Sequence, residues 1–247
     1  MDRLLYIGMT AAKNTQLAQT TNANNLANVS TAGFRGDFQN VLSQQVDGPG
    51  MATRFNSVYQ GETSDFSVGS IMATGRQLDV AIRGDKGWFV VTAPDGSEAY
   101  SRRGDFHITS DGMLLNGAGQ PVMGDGGPVA IPEHESLMIG EDGTVSIVPL
   151  GQGSESLSTV DRIRLVDAAP NQLQKGEDGL MRMRDGGSAP TSADIRISSG
   201  NLEASNVNSV DAMVNMISLA RQFEMQVKAM STAETVAETG SRLMRME

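Results

Sequence analysis

The chain has 247 residues, 39% of them apolar, and a formal net charge of −10 from 19 Lys and Arg against 29 Asp and Glu. That balance excludes a nucleic-acid surface, which needs clustered Lys and Arg, and the apolar content is enough for a packed core. Cysteine is absent, which excludes a disulfide framework, a thiol nucleophile and a thiolate metal site.

The opening "MDRLLYIGMTAAKNTQ" lacks a cationic region followed by an apolar run and a cleavage site. No stretch of about 18 apolar residues follows anywhere. Neither a cleaved signal nor a membrane span is expected. Composition then divides the chain. All eight prolines, from Pro49 to Pro190, and every glycine except Gly8 and Gly240 fall in the middle. Gly and Pro are disfavoured inside helices and favoured in turns, so the pattern predicts helix, β region, helix.

The first helix is predicted from about Asp2 to Asn28, with a narrow apolar surface of Leu4, Leu5, Ala11, Ala12, Ala18, Ala23, Leu26 and Ala27. Only Asp2, Arg3 and Lys13 are charged there, so the helix is either buried nearly all round or not helical in isolation. Asn22, Asn24, Asn25 and Asn28 crowd its end. Each costs roughly 0.6 kcal/mol relative to Ala, which weakens an already marginal segment. Their amides are expected to bond backbone or neighbouring chains in a confined interface, and Gly33 to turn the chain towards the β region.

The middle is predicted as short strands, among them "RFNSVYQ" (54–60), "LDVAIRG" (78–84), "GWFVVTA" (87–93), "TVSIVPL" (144–150) and "DRIRLVD" (161–167). The pairs Asp95-Gly96, Asp111-Gly112, Asp125-Gly126 and Asp142-Gly143 separate such runs and favour hairpin turns. An all-β sandwich or distorted barrel follows. Residues 1–30 carry +1 and residues 201–247 carry −2, which leaves −9 on the centre.

The last helix is predicted to start near Ser209, with "NSVD" (208–211) offering an Asn cap and an acid in the first turn. Its stripe is Met213, Met216, Ile217, Ala220, Phe223, Val227, Met230, Ala233, Ala237, Gly240 and Met244, with Glu224 and Lys228, and Glu238 and Arg242, expected as i,i+4 pairs opposite. Such a helix, at about 1.5 Å per residue, reaches about 57 Å, against a diameter near 40 Å for a centre of this size. The first helix covers part of the stripe, and other chains must cover the rest.

No catalytic constellation appears. The Asp-Gly pairs lack the full spacing of a calcium loop, so turns are the preferred reading over metal. His107 and His134 have no ligand partner at helical spacing. "GDGGPVAIP" (124–132) lacks the Lys-Ser/Thr of a phosphate loop, and no G-x-S-x-G occurs. Trp88 and Phe89 read as core, ahead of a carbohydrate platform. No enzyme activity and no cofactor are expected.

Two end motifs carry a resemblance. "ANNLANVSTAGFR" (23–35) and "SGNLEASNVNSVDAMVNMISLARQFEMQVKAM" (199–230) are similar to the N- and C-terminal signatures of the rod and hook family, the axial proteins of the bacterial flagellum. The centre adds "LDVAIRGDKGWFVV" and "YSRRGDF" (100–106), which resemble a domain shared by that family, so nearly the whole chain is covered. "MDRLLYIGM", the Gly-Trp-Phe at 87–89 and a short connector after Phe34 resemble the proximal-rod branch, with a distal-rod or hook relative as the alternative. The rival class is an acidic secreted β-domain binding protein, which leaves both end motifs unexplained.

The resemblance implies an α+β fold in which long N- and C-terminal helices pair as a coiled-coil-like layer around an inserted all-β domain. It implies a discontinuous helical polymerisation domain of residues 1–30 and 204–247, an extended connector with short β elements over 31–75, and an all-β outer domain over 76–203. It implies a structural subunit that helps transmit torque in the periplasmic rod, exported through the flagellar type III apparatus without a cleaved signal. Its partners would be copies of itself and other rod proteins, with no nucleic acid and no direct membrane span. The assembly interface is expected at Asn24, Asn25, Leu26, Ala27, Asn28, Gly33 and Phe34. It continues through Leu202, Glu203, Ser205, Asn206 and Val207, then Met213, Ile217, Ala220, Phe223, Val227 and Met230.

Overall fold

The computed structural model describes residues 3–45, 55–151 and 156–245. Asp2, Arg54 and the side chains of Leu4 and Met244, all in predicted elements, lie outside the described residues. The chain is α+β: helix α1 (Arg3–Ala27) and helix α2 (Ser209–Met244) flank a long β-rich region. It divides into two compact units. One holds residues 1–27, 37–63 and 207–247, and the other holds residues 28–36 and 64–206.

In the first unit α1 and α2 pair antiparallel. Asn22 Nδ2 donates to the Ala212 carbonyl at 2.8 Å, while a Cβ on Gly8 would meet Met230 Cγ at 2.8 Å. On α2 the residues Ala212, Met216, Leu219, Phe223, Gln226, Met230, Ala233, Ala237 and Gly240 recur in alternating steps of four and three, and all are buried or half-buried. On α1 the matching set is Leu5, Gly8, Ala12, Thr15, Gln19, Asn22 and Leu26. A sustained spacing of 3.5 residues is a coiled-coil seam, and its Gly and Ala positions permit close approach of the axes. The Asn208 carboxamide oxygen caps α2 by accepting the Val210 N–H at 2.9 Å, and Asp211 lies in the first turn.

Strands β1 (Asp37–Gln45) and β2 (Phe55–Ser64) form a two-stranded sheet. Residues 37–63 belong to the helical unit, so the expected connector over 31–75 is split between the two units. The reason is polar. Asn14 Nδ2 donates to the Ser57 carbonyl at 2.8 Å, Thr21 Oγ1 donates to Glu62 at 3.0 Å, and Asn25 exchanges two hydrogen bonds with the Asp37 backbone. Hydrophobic periodicity carries no trace of such contacts.

The second unit is all-β. Strands β3 (Ile71–Ala73) and β4 (Val80–Arg83) pair with Asn201–Glu203 and Arg196–Ser199, at the end of the unit. A five-stranded antiparallel sheet runs in the order Leu165–Val166, β5 (Trp88–Thr92), β6 (Glu98–Ser101), Met181–Met183, Leu173–Lys175. His134–Ile139, Thr144–Pro149 and Ser158–Arg162 form a three-stranded sheet. Strand β5 is covered on both faces, and this is why "WFVV" reads as a continuous apolar run and not as an alternation. Phe89 enters one core beside Phe106, with ring centroids 5.2 Å apart, whereas Trp88 and Val90 enter another with Tyr100 and Leu173. Gly96, Gly112 and Gly143 take the left-handed conformation in their Asp-Gly turns. At 125–126 the left-handed residue is Gly127 and not Gly126.

Candidate assembly site

Three distant parts of the second unit converge on one buried carboxylate. Glu203, at the end of its strand, accepts from Arg35 Nη2 at 2.6 Å and from the Gly69 N–H at 3.0 Å on one oxygen, and from Arg102 Nη1 at 3.0 Å on the other. The side chains of Arg35, Arg102 and Glu203 are 2%, 1% and 2% exposed. Arg102 also donates to the Gly84 and Asp85 carbonyls, and its guanidinium lies 5.5 Å from the centre of the Trp88 ring. Burial pushes its pKa down, Glu203 opposes that shift, and Arg35 adds to it. Arg35 Nε and Nη1 and Arg102 Nε have no hydrogen-bond partner among the described residues. The cluster thus sets two guanidiniums on one buried carboxylate, and the charge of Asp85 also favours the charged form of Arg102.

The backbone around it is equally constrained. Gly33 has φ of 65° and its N–H donates to the Glu203 carbonyl at 2.8 Å. A side chain there would overlap the Arg102 backbone, and one on Gly69 would overlap the Ala204 carbonyl. Asn206 accepts the Gly36 N–H at 2.8 Å and donates to the Asp65 and Ser67 carbonyls at 3.0 and 3.1 Å. Lys175 Nζ donates to the Arg35 carbonyl at 2.9 Å and lies 4.4 Å from the Phe34 ring centre. These contacts fasten the first residues of the unit to the last.

The expected interface residues therefore separate by role. Gly33, Phe34, Glu203 and Asn206 belong to this junction. Leu202 pairs with Met72 in its small sheet, Asn28 accepts from Thr31 Oγ1 at 3.2 Å, and Ser205 and Val207 are half-buried. Leu26, Phe223 and Met230 lie in the helix seam, and Asn25 bonds to β1. Asn24, Ala27, Met213, Ile217, Ala220 and Val227 are exposed. The predicted α2 stripe thus merges two faces, because three- and four-residue steps through Met213 and Ile217 drift off the seam. Leu219, Ala212 and Gln226 complete the seam instead. On the opposite side of α2, Val210, Met213, Val214 and Ile217 are each more than half exposed. Val214, Ile217, Ser218, Arg221, Gln222 and Met225 line a shallow groove there.

Among the described residues no group of three His, Cys, Asp or Glu could hold a metal ion, and no helix is long and apolar enough to cross a membrane. Residues 5–35 match the family described as Flagella basal body rod protein, 81–147 the Flagellar hook protein FlgE/F/G D1 domain, and 198–243 the Flagellar basal body rod FlgEFG protein C-terminal. Over their full lengths, the chain is 39% identical to the flagellar basal-body rod protein FlgF of Salmonella typhimurium and 38% identical to that of Escherichia coli. It is 31% identical to FlgG of Bacillus subtilis over 99% of this chain and 100% of that one.

The chain belongs to the FlgF family of flagellar basal-body rod proteins.

In this rod protein each of the three matched segments supplies one member of the buried cluster: Arg35, Arg102 and Glu203. Arg35 and Arg102 escaped the expected interface set although both stand in the quoted motifs. Separations of 168 and 101 residues from Glu203 leave no local spacing to read. The available signal was a charged side chain inside otherwise uncharged turn motifs, "AGFR" and "NLEASN".

Proposed function

We propose that this chain is a polymerising structural subunit of the flagellar rod, in its proximal part, that assembles through the exposed face of α2 and helps transmit motor torque. The observation that carries the reading is the patch of Val210, Met213, Val214, Ile217 and Met225, each 53% to 65% exposed on a helix whose other side is already sealed by α1. The five side chains present roughly 500 Å², at the upper end of what a monomer leaves open. One side of a standard protein interface buries about 800 Å², so this face supplies most of what stable association needs. The occupants are copies of this chain and other rod proteins. The family membership supports a periplasmic location and delivery by the flagellar type III export apparatus. Torque passes through such a lattice only if subunits interdigitate, and the small seam residues Gly8, Ala12, Ala233 and Ala237 hold the helix pair as one stiff unit.

Sedimentation of the full-length chain beside Ile217→Asp tests the reading. A carboxylate buried without a partner is costly, so the variant should stay monomeric at concentrations where the parent associates. Equal association of the two would remove α2 as the assembly face.

A further inference from the structure

The chain holds a single Asn-Gly step, Asn116-Gly117, in the loop that follows the short strand Leu114–Leu115 of the second unit. The Asn116 residue is fully buried, although Gly117, Ala118 and Gly119 beside it are exposed. Its carboxamide oxygen accepts the Ala118 and Gln120 N–H groups, both at 3.0 Å, and its nitrogen donates to Gln120 Oε1 at 2.7 Å. The Gly117 N–H donates to Asp105 Oδ1 at 3.2 Å, and Arg103 fixes that carboxylate with bonds of 2.8 and 2.9 Å. A Cβ on Gly117 would overlap the same carboxylate.

We propose that Asn116 is a self-modification site, open to conversion into isoaspartate while the chain is unfolded and closed by folding of the second unit, so that a chain kept unfolded too long loses the ability to fold. In an open chain glycine leaves the following amide nitrogen unshielded. Hydroxide removes the Gly117 amide proton and the nitrogen attacks Asn116 Cγ. A five-membered imide closes as the Cγ–Nδ2 bond breaks, and ammonia leaves with a proton from water. Water then opens one of the two imide carbonyls, which yields aspartate or isoaspartate at 116. One water is consumed, one ammonia is released, and nothing is oxidised or reduced. In the folded unit three hydrogen bonds hold the carboxamide in its loop, and burial keeps water from it. Removing the Gly117 proton there would also set an anion beside the Asp105 carboxylate, which like charge disfavours. Isoaspartate carries an extra main-chain methylene. With it, the loop that brings the Asn116 N–H to the Gln120 carbonyl at 2.9 Å no longer closes in register.

The test incubates the full-length protein at mildly alkaline pH, native and in guanidinium chloride, and follows residue 116 by peptide chromatography and mass. Deamidation changes the mass, whereas isomerisation at the Asp-Gly steps does not. In denaturant Asn116 is expected to convert ahead of Asn56 and Asn208, which precede serine. In the native protein it should react at least about a thousandfold more slowly, the factor by which a stable domain limits its unfolded population. Gly117→Ala, compared only in denaturant where its own folding does not enter, should abolish the lead of Asn116. After dilution of the aged chain, folded and unfolded fractions are separated by size, with Trp88 fluorescence reporting the fold. Isoaspartate at 116 is expected only in the unfolded fraction. A native rate above a hundredth of the denatured rate would overturn the proposal. So would a denatured chain in which Asn116 has no lead, or an equal share of isoaspartate at 116 in the two fractions.

Discussion

Replacing Glu203 by Ala strips the counter-charge from two guanidiniums that are 1% and 2% exposed and orphans the Gly69 N–H. Breaking a buried ion pair by removing one partner costs about 3–5 kcal/mol, because the remaining charge stays desolvated. The β unit has about 150 residues. At that size each kcal/mol moves the midpoint by about 2–4 °C, so Glu203→Ala should melt about 6–20 °C lower. The chain has one tryptophan, Trp88, which is 5% exposed and lies 5.5 Å from the Arg102 guanidinium. Intrinsic fluorescence therefore reports the unit that holds the cluster. Arg35→Ala leaves a neutral Arg102–Glu203 pair and removes one charge-assisted bond, a loss of about 2 kcal/mol. The double variant should lose less than the sum, with a coupling of about 0.5–3 kcal/mol. A shift of 2 °C or less for Glu203→Ala, or strict additivity, would show that the cluster is not what fastens the ends of the unit.

Gly33→Ala forces a left-handed residue to carry a side chain against the Arg102 backbone, so it should cost more than the roughly 1–2 kcal/mol of the conformation alone; a midpoint within 2 °C of the parent contradicts this. Ala12→Leu enlarges a buried seam position and should destabilise the helix pair by about 1–3 kcal/mol, read as an earlier loss of helical circular dichroism. The Thr144 hydroxyl bonded to Asp142 and the Arg182 guanidinium bonded to Asp178 hold those carboxyls below the usual 3.8. Because the folded values are depressed, their stabilisation is present above pH 3.8 and is lost as pH falls through the folded values. Denaturant melts from pH 5 to pH 2 should therefore fall more gently for Asp142→Asn/Asp178→Asn than for the parent, and parallel slopes would refute the assignment.

The helix ends were legible because local chemistry marks them. The Asn208 cap opens α2, and Gly33 turns the chain with φ of 65° after α1 has ended at Ala27. Strand β5 was legible from its apolar run, and three of four Asp-Gly turns from their dipeptides. The seam was only half legible. Its register depends on Ala212 and Gln226, which carry no strong hydrophobic signal, so a count of apolar residues slid across to Met213 and Ile217. The attachment of 37–63 to α1 was not legible, since Asn14, Thr21 and Asn25 hold it by backbone and carboxylate hydrogen bonds that any polar loop could offer on paper. The ion cluster was hidden by separation: three motifs recognised one at a time turn out to meet at Glu203.

A photo-crosslinking residue at position 217, introduced into the full-length protein in motile cells, tests the assembly claim most directly. Ile217 is 57% exposed on the face opposite the seam. In isolated basal bodies the label should join this chain to the terminal helices of a second copy or of another rod subunit, identified by peptide mass. Basal bodies that contain the labelled chain, but in which position 217 yields no crosslink while an equal label at Met138 does, would place assembly on the β unit and contradict the account.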